Sequence, residues 1–280
     1  MRSKYLFFAL FFASSFHALT EEHEIELKGL AEPAQILVDK WGVPHIYAQN
    51  YYDVFFVQGF NAARDRLWQI DTWRRRGLGK LSEVFGDNYI EQDKAARLFL
   101  YRGDLYSEWL AYGNDAKRIT YSFAQGINAF IELTKDQPKL LPLEFKLLDY
   151  KPEPWSAADI VKIRSNGLWR NVTREVWRAQ LACSNKLPLA AKWKKLEPEW
   201  KTKVPLGLDP CVIPSDVLDK YLLAKAPVSF EDPISGAIVT KSADPFDEQL
   251  GSNNWAVAPS RTTTGRPILA DDPHRSHAVP

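Results

Sequence analysis

Ser252 is the residue whose position first suggests chemistry, because a serine that directly follows a glycine can sit at a sharp backbone turn. A lone serine is a weak nucleophile and needs a base within hydrogen-bond reach. The Gly-x-Ser-x-Gly pattern of a nucleophile elbow does not surround Ser252. His274 and His277 follow it, but without the spacing that indicates an acid–base–nucleophile triad.

A different arrangement becomes available if the bond between Gly251 and Ser252 is cut. Ser252 then carries a free α-amine, whose pKa of about 7.7–8.0 leaves part of it neutral near neutral pH. That amine can act as the base for the hydroxyl of the same residue, directly or through one water. Glycine before the serine suits such a cut, since it adopts strained backbone geometries easily. Gly-Ser pairs are also common in loops, so the dipeptide alone leaves both interpretations open.

The segments on either side of Ser252 differ in character. Residues 186–249 are rich in proline, lysine and aspartate, which is typical of a linker or a loosely packed spacer with short helices. After Ser252, residues 255–258 and 267–270 predict two short strands joined by a turn at 264–266. A spacer that ends in a strand is what a processing junction looks like, and an ordinary interdomain linker looks the same.

The front of the chain predicts a hairpin followed by helices. Residues 34–40 and 45–48 are predicted to form two strands joined by a turn. Asp53 is predicted to cap a helix that runs to about Arg76. Helical patterns also cover 93–135 and 157–182. In the first helix the apolar positions are Val57, Phe60, Leu67, Ile70 and Trp73. The charged positions, interpreted as a solvated face, are Arg64, Asp65, Arg66, Arg74, Arg75 and Arg76.

Composition limits the class of protein. The 280 residues include 36 Lys plus Arg against 35 Asp plus Glu, and this balance argues against nucleic acid as the main partner. Arg2 and Lys4 precede an apolar run from Tyr5 to Phe16, which predicts a signal peptide over 1–18 and export, either periplasmic or secreted. The run is shorter than the roughly 20 apolar residues of a membrane span, so no stable membrane anchor is expected.

Two cysteines, Cys183 and Cys211, stand far apart in the sequence. In an oxidising compartment they could pair and close a surface loop. Two cysteines alone fix neither distance nor geometry, so the sequence leaves the pairing open. A zinc site is not expected, because neither cysteine has a second cysteine or a histidine near it.

Several segments, in order, resemble the penicillin acylase family of N-terminal-nucleophile hydrolases. The matching segments are 39–48 (DKWGVPHIYA), 58–69 (QGFNAARDRLWQ), 79–86 (GKLSEVFG), 152–155 (PEPW), 251–258 (GSNNWAVA) and 260–274 (SRTTTGRPILADDPH). The resemblance implies an α+β fold, the four-layer αββα sandwich, built by α and β chains from one precursor. It implies a signal peptide over 1–18, an α-chain body over 19–185, a spacer over 186–251 and the start of the β chain over 252–280.

The resemblance also implies roles for individual residues. Ser252 corresponds to the nucleophile, its α-amine to the base, and Gly251–Ser252 to the cleavage junction. His274 falls where a backbone group helps to orient that amine. The residues implied to shape the site are Leu168, Trp169 and Arg170 in the wall of the acyl pocket, Trp255 beside the nucleophile, and Glu175 as a structural calcium ligand.

The implied reaction is hydrolysis of a linear amide through an acyl-enzyme, on a small amide substrate with an apolar acyl group. No cofactor is expected for the chemistry, and calcium is expected only as a structural ion. The family's oxyanion-hole donors would follow Pro280, so the sequence predicts a truncated precursor without activity of its own. Two alternatives stay open, namely an acyl-homoserine lactone acylase and a non-catalytic secreted helical protein that binds a partner or nothing.

Overall fold

The computed structural model describes residues 24–164, 171–193, 201–231, 238–239 and 252–273. Within them the chain is α+β, with a mostly helical body and three two-stranded antiparallel sheets. The strands are β1 (Gln35–Val38), β2 (Pro44–Tyr47), β3 (Phe230–Glu231), β4 (Ile238–Val239), β5 (Ser252–Val257) and β6 (Ile268–Pro273). The helices are α1 (Tyr51–Leu78), α2 (Ser82–Phe85), α3 (Ile90–Leu98), α4 (Leu105–Ala111), α5 (Ala116–Asp136), α6 (Leu143–Leu147), α7 (Ala157–Ile163), α8 (Val172–Cys183), α9 (Pro188–Trp193) and α10 (Asp219–Lys225). Across these ranges, none of the helices combines the length and apolar character needed to cross a bilayer.

The predicted front hairpin is confirmed, and Asp39 holds its turn. The Asp39 carboxylate accepts hydrogen bonds from the backbone amides of Trp41 at 2.8 Å and Val43 at 3.0 Å. Its second oxygen lies 3.1 Å from His45 Nε2. The hydrogen bond with His45, followed by that from Val43, lowers the pKa of Asp39 below its usual value. Gly42 takes a φ of 79°, a conformation that a residue with a Cβ rarely adopts.

The first long helix is confirmed, but its predicted cap is wrong. Asn50, in extended conformation, accepts hydrogen bonds from the amides of Tyr52 and Asp53. Asp53 is buried and serves a different purpose, since its carboxylate accepts the backbone amides of Ala31 at 3.1 Å and Glu32 at 3.0 Å. It therefore holds the N-terminal segment to the helix instead of beginning the helix.

Helices α1 and α5 cross in direct backbone contact, and this crossing is the centre of the core. A Cβ at Gly59 would overlap the carbonyl oxygen of Phe123, and a Cβ at Gly126 would overlap that of Phe56. Only glycine permits so close an approach. The buried cluster around the crossing comprises Phe60, Ala63, Leu67, Ala124, Ile127, Phe130, Ile131, Phe145 and Trp155.

Arginines at the end of α1 are buried, so the prediction of a fully solvated charged face is wrong. Arg74 and Arg75 are each only 2% exposed. Arg75 Nε donates to Asp71 Oδ2 at 2.9 Å, and Arg74 donates to the carbonyl of Pro154 at 2.7 Å. The apolar prediction fails at Trp73, which is 64% exposed. The helical spacing of apolar and charged residues does not indicate which charged side chains pair with distant parts of the chain.

The helical pattern predicted over 93–135 is divided into three helices. Breaks containing Gly103 and Gly113 separate α3, α4 and α5. Helix α3 is fixed to the start of α2, because the carboxylate of Asp93 accepts hydrogen bonds from the backbone amides of Leu81 at 2.8 Å and Ser82 at 2.7 Å. The pattern predicted over 157–182 contains α7 and α8, with residues 165–170 outside the described residues.

Candidate functional site

The residue predicted as the nucleophile opens a strand. Ser252 is the first residue of β5, which pairs in antiparallel fashion with β6. The register places Ser252 opposite Pro273 and Trp255 opposite Ala270. Gly251 and His274 lie outside the described residues, and so does the side chain of Ser252. In the sequence His274 directly follows Pro273, the residue paired with Ser252.

Proline at position 273 limits the backbone pairing at Ser252. Directly opposed residues of an antiparallel ladder exchange two hydrogen bonds or none. Pro273 has no N–H group, so its pair with Ser252 forms at most one such bond.

The far end of the hairpin is held by Thr262. Its hydroxyl contacts two backbone carbonyls, those of Pro259 at 3.0 Å and Arg266 at 2.8 Å. Gly265 in the same turn takes a φ of 66°. These contacts fix the register that brings position 273 opposite Ser252, and they confirm the turn predicted near 264–266.

The hairpin presents apolar side chains to its surroundings. Trp255 is 54% exposed, Leu269 is 79% exposed and Ile268 is 47% exposed. Trp255 is thus on the same strand as Ser252, three residues further along, with its side chain accessible. The residues predicted to line the acyl pocket with it, Leu168, Trp169 and Arg170, lie outside the described residues, between α7 and α8.

The residues that flank this gap are engaged in ion pairs. Arg164, just after α7, pairs with Glu108 and contacts the hydroxyl of Tyr112. Glu175, in the first turn of α8, pairs with Arg178 one turn later. The sequence did not indicate the Arg164 pair, because Glu108 is more than fifty positions away in the chain.

Glu175 was predicted as a calcium ligand, and its described surroundings do not by themselves form such a site. Calcium takes six to eight oxygen ligands. Within the described parts of the chain, no group of three or more Asp, Glu, His or Cys side chains is placed to hold a metal ion. The side chain of Glu175 is 61% exposed and is paired with Arg178. Calcium binding at Glu175 therefore stays a prediction of the family resemblance.

The two cysteines are joined. Cys183, the last residue of α8, forms a disulfide with Cys211, and their Cα atoms lie 4.9 Å apart. The bond ties the short helical turn Pro210–Val212 to the end of α8. It therefore connects the proline-rich stretch to the helical body.

Ion pairs around the buried Arg74 and Arg75 support the segment that carries Trp155. Glu153 Oε2 accepts from Arg74 Nη2 at 2.9 Å, and Glu153 Oε1 lies 3.6 Å from Arg75. Burial opposes the charge of Glu153, but Arg75, followed by Lys80, outweighs it and lowers its pKa. Arg74 also lies over the ring of Trp155 at 5.4 Å. The Pro-Glu-Pro-Trp motif at 152–155 is thus an anchor for the end of α1, a role that its composition did not indicate.

Comparison with known proteins decides the family. The family model for penicillin amidase matches residues 33–280, which is most of the chain and includes Ser252. The chain belongs to the penicillin amidase family. This membership confirms the predicted class of N-terminal-nucleophile fold. Within the described residues, the strands form three separate pairs and not the layered sandwich.

Relatives in this family include two kinds of acylase. The chain is 34% identical over 259 residues to the penicillin acylase 2 proenzyme of Pseudomonas sp. (strain SE83), covering 91% of this chain and 32% of that protein. It is 27% identical over 259 residues to the acyl-homoserine lactone acylase QuiP of Pseudomonas aeruginosa, covering 91% of this chain and 29% of that protein. A solved penicillin G acylase from Alcaligenes faecalis aligns with 63% of this chain and 98% of its own, at 26% identity and a TM-score of 0.49. The chain thus spans about a third of the length of the curated relatives it matches.

Proposed function

We propose that this penicillin amidase family chain is part of an exported amidase precursor that hydrolyses a linear amide through an acyl-enzyme on Ser252. One observation carries the proposal. The family match covers residues 33–280, and strand β5 begins at the serine that this match includes. A single cut of the bond between Gly251 and Ser252 would give Ser252 a free α-amine at the start of β5.

The first chemical step would be self-cleavage. The hydroxyl oxygen of Ser252 attacks the carbonyl carbon of Gly251, and the amide nitrogen leaves as the free α-amine of Ser252. The resulting ester between Gly251 and the serine oxygen is then hydrolysed by water, which gives a carboxylate on Gly251 and regenerates the hydroxyl. The pair between Ser252 and Pro273 contributes at most one ladder hydrogen bond that would have to break for this step.

The same groups would then act in turnover. The α-amine of Ser252 takes the proton from its own hydroxyl, directly or through a water, as the oxygen attacks the substrate carbonyl. The proton passes to the departing amine of the substrate, and water hydrolyses the acyl-enzyme. Oxyanion donors stabilise both tetrahedral intermediates, and the resemblance places them after Pro280. We therefore expect turnover to require these donors together with Ser252.

The substrate would be a small amide with an apolar acyl group. The family resemblance supports this choice, whereas Trp255 does not, because side chains alternate along a strand and Trp255, three residues after Ser252, lies on the opposite face of β5. The named relatives include a penicillin acylase and an acyl-homoserine lactone acylase, so acyl-homoserine lactones are the second candidate substrates. Export through the signal peptide predicted over 1–18 belongs to the same proposal and would leave a mature chain that begins after that segment.

Mass spectrometry of the full-length gene product tests the proposal. We expect two chains, one of which begins Ser-Asn-Asn-Trp. Ser252→Ala should abolish the cut and the amidase activity. Ser260→Ala is the matched control, because Ser260 is an exposed serine in the turn of the same hairpin. A wild-type protein that stays intact and inactive would instead support the non-catalytic alternative.

Hydrolysis assays separate the two substrate classes. The purified enzyme would be tested with anilides of aromatic and fatty acids and with N-acyl-homoserine lactones of several chain lengths. Amine release from anilides alone supports the penicillin acylase type. Faster release of homoserine lactone supports the second candidate.

A further inference from the structure

Residues 219–229, called the tail segment, are packed onto the helical body although they lie inside the predicted spacer. Helix α10 begins the segment and lies against α3. Ala224 is 1% exposed and clusters with Ala95 and Ala96 of α3, which are almost fully buried. The ring of Tyr221 packs edge-on against Phe99 at 5.7 Å. Small side chains on both helices allow this close approach, which a loosely attached spacer would not need.

Hydrogen bonds from the body hold the backbone of the tail segment. Tyr89 Oη donates to the carbonyl of Ser229 at 2.6 Å and accepts from the amide of the same residue at 3.2 Å. Gln92 Nε2 donates to the carbonyl of Ala226 at 2.7 Å, and Gln92 is itself 6% exposed. These bonds fix the path of the chain just after α10. Both side chains are committed to backbone groups, and burying Gln92 without its partner would be costly.

Helix α3, on which the tail segment packs, is itself bonded to neighbouring helices. Asp93 bonds α3 to the start of α2, as described above. Arg97 bonds α3 to the end of α1, because its Nε donates to the carbonyl of Gly79 at 2.9 Å. A Cβ at Gly79 would meet the carbonyl of Asp93 at 2.6 Å, so the two elements are in backbone contact there. The tail segment therefore contacts the same rigid unit that contains the core.

A covalent anchor holds the preceding part of the stretch. The disulfide between Cys183 and Cys211 attaches residue 211 to the end of α8, eight positions before α10 begins. The stretch 201–229 is thus fixed at two places, by a bond near its middle and by packing at its end.

We infer that residues 201–229 are a permanent part of the α-chain body, and that the tail segment stays bound after the junction at Gly251–Ser252 is cut. The α chain then extends at least through Ser229, and the removable spacer is confined to residues between Ser229 and Ser252. This boundary replaces the start of the spacer predicted at residue 186. The inference rests on the proposed processing, but the packing of the tail segment does not depend on catalysis.

The masses of the processed full-length enzyme give the first test. We expect an α chain whose C-terminus lies beyond Ser229 to copurify with the chain that begins at Ser252. An α chain that ends before Asp219, with the tail segment lost from the purified enzyme, would overturn the inference. A chain that is never cut contradicts the proposed function, and the packing is then decided by the second test alone.

Limited proteolysis of the uncut Ser252→Ala full-length protein gives the second test. Trypsin cuts after Lys220 and Lys225 only when the tail segment opens, so wild-type packing should protect both bonds. Ala224→Glu places a charge in the buried contact and should accelerate these cuts by about tenfold or more. Leu222→Glu is the matched control, because Leu222 on the same helix is 40% exposed and should change the rate by less than about twofold.

Tyr89→Phe keeps the test decisive if Ala224→Glu disturbs folding. It removes only the hydroxyl that contacts Ser229 and should accelerate cutting by about three- to tenfold. Circular dichroism and the melting temperature check that each variant is folded. The proposed packing would be refuted if trypsin rapidly cut the protein whose tail segment is unsubstituted. It would also be refuted if the folded Ala224→Glu and Leu222→Glu variants were cut at equal rates.

Discussion

Replacing Arg75 by methionine tests how the charged end of α1 is stabilised. The Asp71 side chain is fully buried, and its Oδ2 accepts a hydrogen bond from Arg75 Nε at 2.9 Å. Methionine retains much of the apolar volume of arginine but removes the counter-charge. Breaking a buried ion pair from one side costs about 3–5 kcal/mol, since the remaining charge has no partner. We expect Arg75→Met to lower the free energy of unfolding by that amount at pH 7.

The loss should depend on pH in a definite direction. Burial raises the pKa of Asp71 above its usual value, and Arg75 opposes that shift. Without Arg75 the folded-state pKa rises further above the unfolded value. A group with a raised folded-state pKa contributes its stability below the unfolded pKa and loses it as the pH increases. The deficit of Arg75→Met relative to wild type should therefore be largest near pH 7 and shrink toward about pH 4.

Urea denaturation of the Ser252→Ala protein, followed by tryptophan fluorescence at several pH values, measures these losses. Arg64→Met is the matched control on the same helix, because Arg64 is 36% exposed and pairs with its neighbour Asp65 at 3.0 Å. An exposed pair contributes about 0–1 kcal/mol. Adding Asp71→Asn to Arg75→Met should recover part of the lost stability, since it removes the unpaired charge. Equal losses for the two arginine variants, or a deficit that does not change with pH, would refute the reasoning.

Two further substitutions test the core. Gly126→Ala should lower the free energy of unfolding, measured in a thermal melt, by about 1–3 kcal/mol or prevent folding, because the methyl group would overlap a backbone carbonyl of α1. Gly113→Ala is the control: position 113 faces open space, so the melting temperature should stay unchanged or rise slightly. Asn128→Ala should cost about 1–3 kcal/mol in the same melt, because its amide donates to the Trp155 carbonyl at 2.9 Å and accepts from the Trp155 amide at 2.7 Å, and no loss would contradict that role.

Local patterns in the sequence predicted the elements but not their partners. The front hairpin and the extent of α1 followed from alternation and helical period. The cap did not, because Asn50 and Asp53 both suit a helix start and only the position of Ala31 and Glu32 explains why Asp53 is used elsewhere. Arg74 had the pattern of a solvated face, since its partners at 153–154 are about eighty positions away. Arg75 has its hydrogen-bonded partner, Asp71, one turn away on the same helix, and only the structure shows that this pair is buried.

The proline-rich stretch shows the same limit. Its prolines correctly indicated short helices and loops, but Ala224 carries no sequence signal for a buried contact with α3. At the candidate site, the strand pair after Ser252 was predicted, and the register opposite Pro273 came from the structure. The roles of His274, Leu168, Trp169 and Arg170 still rest on the family resemblance, because these residues lie outside the described part of the chain.

The contact between α1 and α5 has a consequence for how the protein can change over time. Most core positions can exchange one apolar side chain for another if neighbours compensate in volume. Gly59 and Gly126 have no such freedom, because backbone atoms fill the space on both sides. Apolar substitutions elsewhere can therefore repack the core, but a side chain at Gly59 or Gly126 would require the two helices to move apart. The distance between these two helices is therefore the feature of the core that least tolerates a side chain at either glycine.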